Sequence, residues 1–287
     1  MAFVARTVTA DDGLRLFVRD YPAQPSEYGL PVVCLHGLTR NSADFEIVAP
    51  RIAALGRRVL VPDVRGRGQS ERDSNAARYV PPTYAGDVVQ ILNALDVARA
   101  VFVGTSMGGL ITMIVAATAS ERVAAAVLND IGPVVNASGL ERIAQYVGKA
   151  APQESWAALT ALVKSSQAAA FPDADAAFWQ TMARRVAREL PDGRIAFDYD
   201  PAIAQIFEQP RSAAAPDLTP LFLALAREPV LVVRGELSDI LAPEGVAAMK
   251  ALKSDLEVAE VPRVGHAPTL EEPAAWEAMA KFLGRVP

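Results

Sequence analysis

Six short apolar runs, at 31–35, 58–62, 100–104, 123–128, 229–234 and 256–261, punctuate this chain, and stretches of helical periodicity separate most of them. A strand with one wet face alternates apolar and polar residues. A run that is apolar throughout belongs to a strand covered on both faces, the condition of parallel strands flanked by helices. The stretches 42–55, 83–95, 107–119, 243–253 and 269–283 supply those helices, several opened by Pro, Ser, Thr or an acidic residue. The pattern predicts an α/β chain with a doubly wound, mostly parallel sheet joined by right-handed crossovers. Ahead of it, 3–10 and 14–21 alternate around Asp11-Asp12-Gly13. Asp-Gly supplies the positive φ of a tight turn, so the chain is expected to open with an antiparallel hairpin.

The rhythm breaks between 132 and 227, where the sequence offers only helical segments, at 139–147, 154–163 and 175–190. This interval reads as a helical cap inserted into a core made of 1–131 and 228–287. It carries Trp156, Phe171, Phe178, Trp179, Phe197 and Tyr199. Such aromatics either roof a pocket or form the insertion's own core.

Composition narrows the possible partners. With 51% hydrophobic and 21% charged residues the chain can bury a large interior without a metal or a covalent staple. A net charge of −5 argues against a surface that collects phosphates, so no nucleic-acid partner is expected. The single cysteine, Cys34, excludes an internal disulfide, and its apolar run makes it a buried small hydrophobe. The N-terminal stretch lacks a secretory pattern, and the most apolar helical stretch, 110–119, falls well short of the roughly 20 residues that cross a bilayer. The expectation is a cytoplasmic monomer or homodimer that does not engage a membrane.

Chemistry concentrates at strand ends. The run 100–104 leads into Gly104-Thr-Ser-Met-Gly108 and then into a helix. A G-x-S-x-G segment in that context turns sharply and lifts the Ser106 hydroxyl clear of the sheet. A serine hydroxyl needs a neighbouring base. There are two histidines, and His266 follows the last strand, in the loop Pro262-Arg-Val-Gly-His-Ala-Pro268. Ligand sites of such sheets lie at the carboxyl ends of strands, which favours His266 as base and leaves His36 a structural role. The base must be held in one tautomer by a carboxylate. Asp239, just beyond the run 229–234, is the preferred acid; Asp130, at the tip of the neighbouring strand, is its rival, with Glu236 behind both. The backbone amides of Met107 and Leu38 are expected to receive the negative oxygen of a tetrahedral intermediate. His36, Asp130, Trp156 and Ile240 are candidates for the pocket wall.

His36-Gly37, Asp63-Val-Arg-Gly-Arg-Gly-Gln-Ser70, Gly104-Thr-Ser-Met-Gly108, Gly235 with Asp239, and Gly265-His266 together resemble the α/β-hydrolase superfamily over almost the whole chain. The likeness is to the branch of small esterases, enol-lactonases, meta-cleavage-product hydrolases, epoxide hydrolases and haloalkane dehalogenases. It implies the α/β-hydrolase fold with a helical cap, and makes Asp63 to Gly68 a structural turn beside the oxyanion loop. The last two groups use an aspartate nucleophile, and this chain has Ser106, so the resemblance implies acyl chemistry without cofactor or metal. The leading expectation is hydrolysis of a small ester or lactone. Carbon–carbon hydrolysis of a vinylogous diketone is the second; it needs polar groups such as Arg185, Arg188 or Arg194 in the pocket. A non-turnover ligand receptor on the same fold is the third.

Overall fold

In the computed structural model, which describes residues 2–25, 27–207 and 217–287, the chain turns at Gly13 with φ +86°. Strands β1 (Val4–Thr9) and β2 (Arg15–Tyr21) thereby pair antiparallel, with Thr9 opposite Arg15. The parallel core follows as β3 (Val32–Leu35), α1 (Val48–Ala53), β4 (Val59–Pro62), α2 (Pro81–Ala94), β5 (Ala100–Thr105), α3 (Met107–Thr118) and β6 (Val123–Asn129). Every residue of β3, β4 and β6 is buried, which is why these runs read as continuously apolar.

Between β6 and the next core strand the described residues form α4 (Ala137–Tyr146), α5 (Trp156–Gln167), α6 (Ala176–Val186), β7 (Ala187–Glu189), β8 (Ile195–Phe197), a 3₁₀ stretch Pro201–Phe207 and α7 (Thr219–Leu223). The core then resumes with β9 (Val230–Gly235), α8 (Pro243–Leu252), β10 (Glu257–Val261) and α9 (Pro273–Leu283). The eight-stranded sheet runs β1-β2-β4-β3-β5-β6-β9-β10. From β3 the chain passes to β4 on one side and returns to β5 on the other. The carboxyl ends of β3 and β5 therefore flank the topological switch point, where open α/β sheets bind ligands.

Alternate strand residues feed two cores. Val33, Leu35, Leu60 and Phe102 pack on one face with α2 and α3, while Val32, Cys34, Val101 and Val103 pack on the other with α1 and α9. Burial pushes the Cys34 thiol pKa up, which suits a packing role. No helix among the described residues is long and apolar enough to cross a membrane.

Three local expectations need correction. The expected helix 42–55 divides into a 3₁₀ turn, Ser42–Phe45, and α1. Pro50 has no N–H to give the Glu46 carbonyl, so the α-helical ladder cannot run back through that point. Helix α9 begins at Pro273, not at 269, because Glu272 is held extended (ψ 139°) as residues before proline are. The expected helix 175–190 stops at Val186, and β7 pairs with β8 in an interval whose sequence shows no strand-like run. Gly193, at φ +84°, and the 2.7 Å bond from the Leu190 amide to the Arg194 carbonyl close that hairpin. Three-residue strands are too short to show an alternating pattern.

Asp198, just past β8, docks the hairpin on the core: its carbonyl accepts the Gly68 amide at 2.9 Å. Burial, reinforced by Asp63 and opposed by Arg188, pushes its carboxyl up to about 6. A carboxyl raised in the folded state stabilises fully below its unfolded value, and that contribution is lost as pH rises through the folded one. Asp198→Asn is therefore expected to raise stability by about 2 kcal/mol at about pH 8, and to add nothing at about pH 4. Thermal unfolding at the two pH values measures this; a lower Tm at the higher pH contradicts it.

Candidate active site

Strand β5 ends at Thr105, and Ser106 carries the turn into α3 at φ 51°, ψ −111°. The residues two positions to either side, Gly104 and Gly108, permit the turn by having no side chains. A Cβ on Gly104 would lie 2.4 Å from the Gly108 carbonyl carbon, and one on Gly108 only 2.1 Å from the Leu35 carbonyl oxygen. Those are backbone collisions with nothing flexible to yield. The Ser106 amide donates to the Asn129 carbonyl at 2.9 Å, which pins the turn to β6.

Ser106 and His266 are brought together as expected from their positions at strand ends. Nε2 of His266 is 2.9 Å from Ser106 Oγ, and Nδ1 is 2.7 Å from Asp130 Oδ2. A carboxylate only accepts, so the ring proton lies on Nδ1, and Nε2 is left to accept from the serine hydroxyl. Asp130 is fully buried. Its Oδ1 accepts the Gly235 amide at 2.9 Å, and Oδ2 also accepts the Ser238 hydroxyl at 2.6 Å.

The carboxylate on His266 is thus Asp130, and the expectation of Asp239 is corrected. Asp130 follows β6 directly, and its left-handed backbone (φ 58°) belongs to the turn beside the end of β9. Asp239 instead forks onto Arg142 of α4, with Nε–Oδ2 at 2.5 Å and Nη2–Oδ1 at 2.9 Å. Helix α4 lies against this loop so closely that a Cβ on Gly139 would stand 2.5 Å from the Asp239 carbonyl oxygen. Burial acts to raise the Asp239 carboxyl, but the hydrogen bonds and charge of Arg142 hold it below the ordinary range. Glu236 accepts the Arg263 amide at 2.6 Å.

Leu38 and Met107 are joined through one buried side chain. Arg67, from the turn 63–68, donates from Nε to the Leu38 carbonyl at 3.0 Å, and its Nη2 is 3.8 Å from Met107 Sδ. Met107 opens α3, so its amide has no partner within the helix, and the helix dipole there favours negative charge. His36 is fully buried; Nε2 accepts the Val64 amide at 3.0 Å, and Nδ1 donates to the Gly37 carbonyl at 2.8 Å. Burial lowers its pKa, against the charge of Asp63, so the ring is favoured neutral and knits the loop.

A cleft of about 110 Å³ opens over Ser106 and His266, walled by Leu38, Arg40, Phe171, Met182, Arg185 and Thr269 among others. None of the four expected wall residues lines it. His36 is buried in the loop that leads to Leu38, and Asp130 lies behind His266. Ile240 is buried against Gly139, and Trp156 stacks under the Arg184 guanidinium, 3.7 Å from the ring centroid. Of the aromatics, Phe171 reaches the cleft, Phe178 packs tilted and Trp179 edge-on against it as local core, and Phe197 and Tyr199 line a side pocket of about 40 Å³. Arg40, Tyr146 and Gln167 line both spaces; helical periodicity cannot say which face of α4 or α5 turns inward. Arg185 lines the cleft, while Arg188 and Arg194 are exposed and paired with Asp198 and Asp192.

A family model described as the alpha/beta hydrolase fold matches residues 31–273. A 3-hydroxybutyrate-oligomer hydrolase of Cupriavidus necator is 38% identical over 250 residues, covering 85% of this chain and 84% of that protein. The crystal structure of an alpha/beta hydrolase from Novosphingobium aromaticivorans is similar with a TM-score of 0.92 and 45% identity, over 100% of both chains. That of an E-2-(acetamidomethylene)succinate hydrolase has a TM-score of 0.81 and 25% identity, over 98% of this chain and 99% of that one.

Proposed function

Since this chain belongs to the α/β-hydrolase family, we propose that it is a serine hydrolase cleaving carboxylic esters. The reading is carried by the hydrogen-bonded line from Ser106 through His266 to Asp130 at the floor of an open cleft. His266 takes the Ser106 proton as Oγ attacks the acyl carbon, and Asp130 stabilises the imidazolium that results. The Leu38 and Met107 amides receive the developing oxyanion. The imidazolium returns its proton to the departing alcohol, and water then releases the acid from the acyl-enzyme by the same route. The insertion 132–227 serves as the cap that walls the cleft and selects the chain attached to the ester. The similarity to a 3-hydroxybutyrate-oligomer hydrolase favours short linear hydroxyacyl esters among the possible ester and lactone substrates.

A second reading, carbon–carbon hydrolysis of a vinylogous diketone, is favoured by one observation, the presence of Arg185 in the cleft wall. Two carboxylates already occupy that guanidinium, Glu46 at 2.8 Å and Glu271 at 2.6 Å, which weakens it as an anchor for an anionic diketone. Purified protein is expected to hydrolyse short-chain 4-nitrophenyl esters, to lose that activity in Ser106→Ala, and to leave a dienoic diketone intact. Absence of any Ser106-dependent ester turnover contradicts the reading.

A further inference from the structure

Two arginines face the same cleft, each with one terminal nitrogen unspent. Arg40 grips Asp44 through Nε and Nη2, at 2.7–3.0 Å, and Arg185 grips Glu46 through Nε and Glu271 through Nη1. Among the described residues, Nη1 of Arg40 and Nη2 of Arg185 have no hydrogen-bond partner. Both side chains line the cleft above Ser106, and Arg185 is only 9% exposed. The loop and the insertion are tied together at this point, since Asn41 Nδ2 donates to the Arg185 carbonyl at 2.8 Å.

The sign of the field decides what such donors bind. Two guanidiniums stand against three carboxylates at hydrogen-bond distance, so the cluster offers an incoming anion no net positive charge. What remains is direction: N–H groups held in place by carboxylates on their other edges. Gln167 and Tyr146, beside Arg40 where the cleft meets the side pocket, add neutral polar groups. That combination suits an uncharged oxygen acceptor and gives a bare hydrocarbon nothing to pair with these donors.

We infer that Arg40 and Arg185 form a subsite for a second, uncharged ester carbonyl of the substrate chain, which makes the enzyme selective for oligoesters over alkyl esters and over free carboxylates. The inference deepens the ester-hydrolase reading and depends on it.

Three 4-nitrophenyl esters sharing one leaving group test it: that of acetylated 3-hydroxybutyrate, that of a branched alkanoate of equal length, and the half-ester of a dicarboxylic acid of equal length. The acetylated substrate is expected to exceed both others in kcat/KM by about tenfold, roughly the worth of one charged N–H donor. Arg40→Met combined with Asp44→Asn, which leaves no orphaned charge, is expected to erase that ratio, and Arg40→Gln to retain part of it. Equal rates for the alkanoate, a preference for the half-ester, or a ratio that survives the double substitution each overturn the subsite while leaving ester hydrolysis standing. No Ser106-dependent turnover of any of the three overturns both.

Discussion

Asp130→Asn is expected to lower kcat on a 4-nitrophenyl ester by about 10⁴-fold, and Asp239→Asn by less than about tenfold. The asymmetry follows from what each carboxylate touches. Asp130 is fully buried, accepts from Gly235 and Ser238, and is the 2.7 Å partner of His266 Nδ1. An amide there can turn an N–H toward the ring, which favours the tautomer carrying its proton on Nε2. Ser106 then has no acceptor. The loss falls on kcat because binding surfaces in the cleft are untouched. Asp239, held by Arg142, acts on the ring through its charge and not through a hydrogen bond, and an amide in its place still accepts from the guanidinium. Steady-state kinetics of both variants, with thermal unfolding to confirm the fold, measure the difference. Equal losses, or the larger loss at Asp239, reassign the acid.

Arg65→Met is expected to cost about 3–5 kcal/mol of stability near neutral pH, the range for stranding buried charges. Arg65, only 2% exposed, forks onto Asp87 at 2.6 and 2.7 Å and reaches Asp73 at 2.6 Å and Asp12 at 2.8 Å. It therefore joins the opening hairpin turn, the loop after β4 and helix α2. Burial alone would lower the Arg65 pKa, but its bonds to Asp87 and Asp12 overrule that and raise it. Burial also raises Asp87, against the pull of Arg65. Without the cation, ionised Asp87 has no compensation, so the penalty is full at high pH and fades as pH falls through its raised folded-state pKa. Urea unfolding at about pH 7.5 and about pH 5 is expected to show the larger deficit at the higher value. Asp87→Asn in the same background is expected to restore part of it. A deficit under about 1 kcal/mol at neutral pH, or no recovery, contradicts this account.

The framework was legible because its signals are local. Five of the six strands expected to be buried announce themselves as mainly apolar runs, but β10 is the edge strand and is buried only at Val261; Asp12-Gly13 marks the first hairpin by its need for positive φ. Gly104 and Gly108 mark the turn at Ser106, since each lies where a Cβ would strike backbone. The choice of acid was not local. Asp130 and Asp239 both follow neighbouring strand tips, and what separates them is a guanidinium 97 residues from Asp239. The cleft wall was hidden for the same reason: Arg40, Tyr146, Gln167 and Met182 come from elements whose mutual rotation depends on tertiary packing. Trp156, whose aromatic ring suits a pocket wall, meets Arg184 instead.

Activation of Ser106 by His266 and Asp130 is tested most directly by covalent labelling: treatment with a fluorophosphonate, followed by peptide mass spectrometry and the rate of labelling in each variant. The label is expected on Ser106 alone, at a rate reduced by orders of magnitude in Asp130→Asn and near that of the parent in Asp239→Asn. A label elsewhere, no label, or a rate indifferent to Asp130 contradicts it.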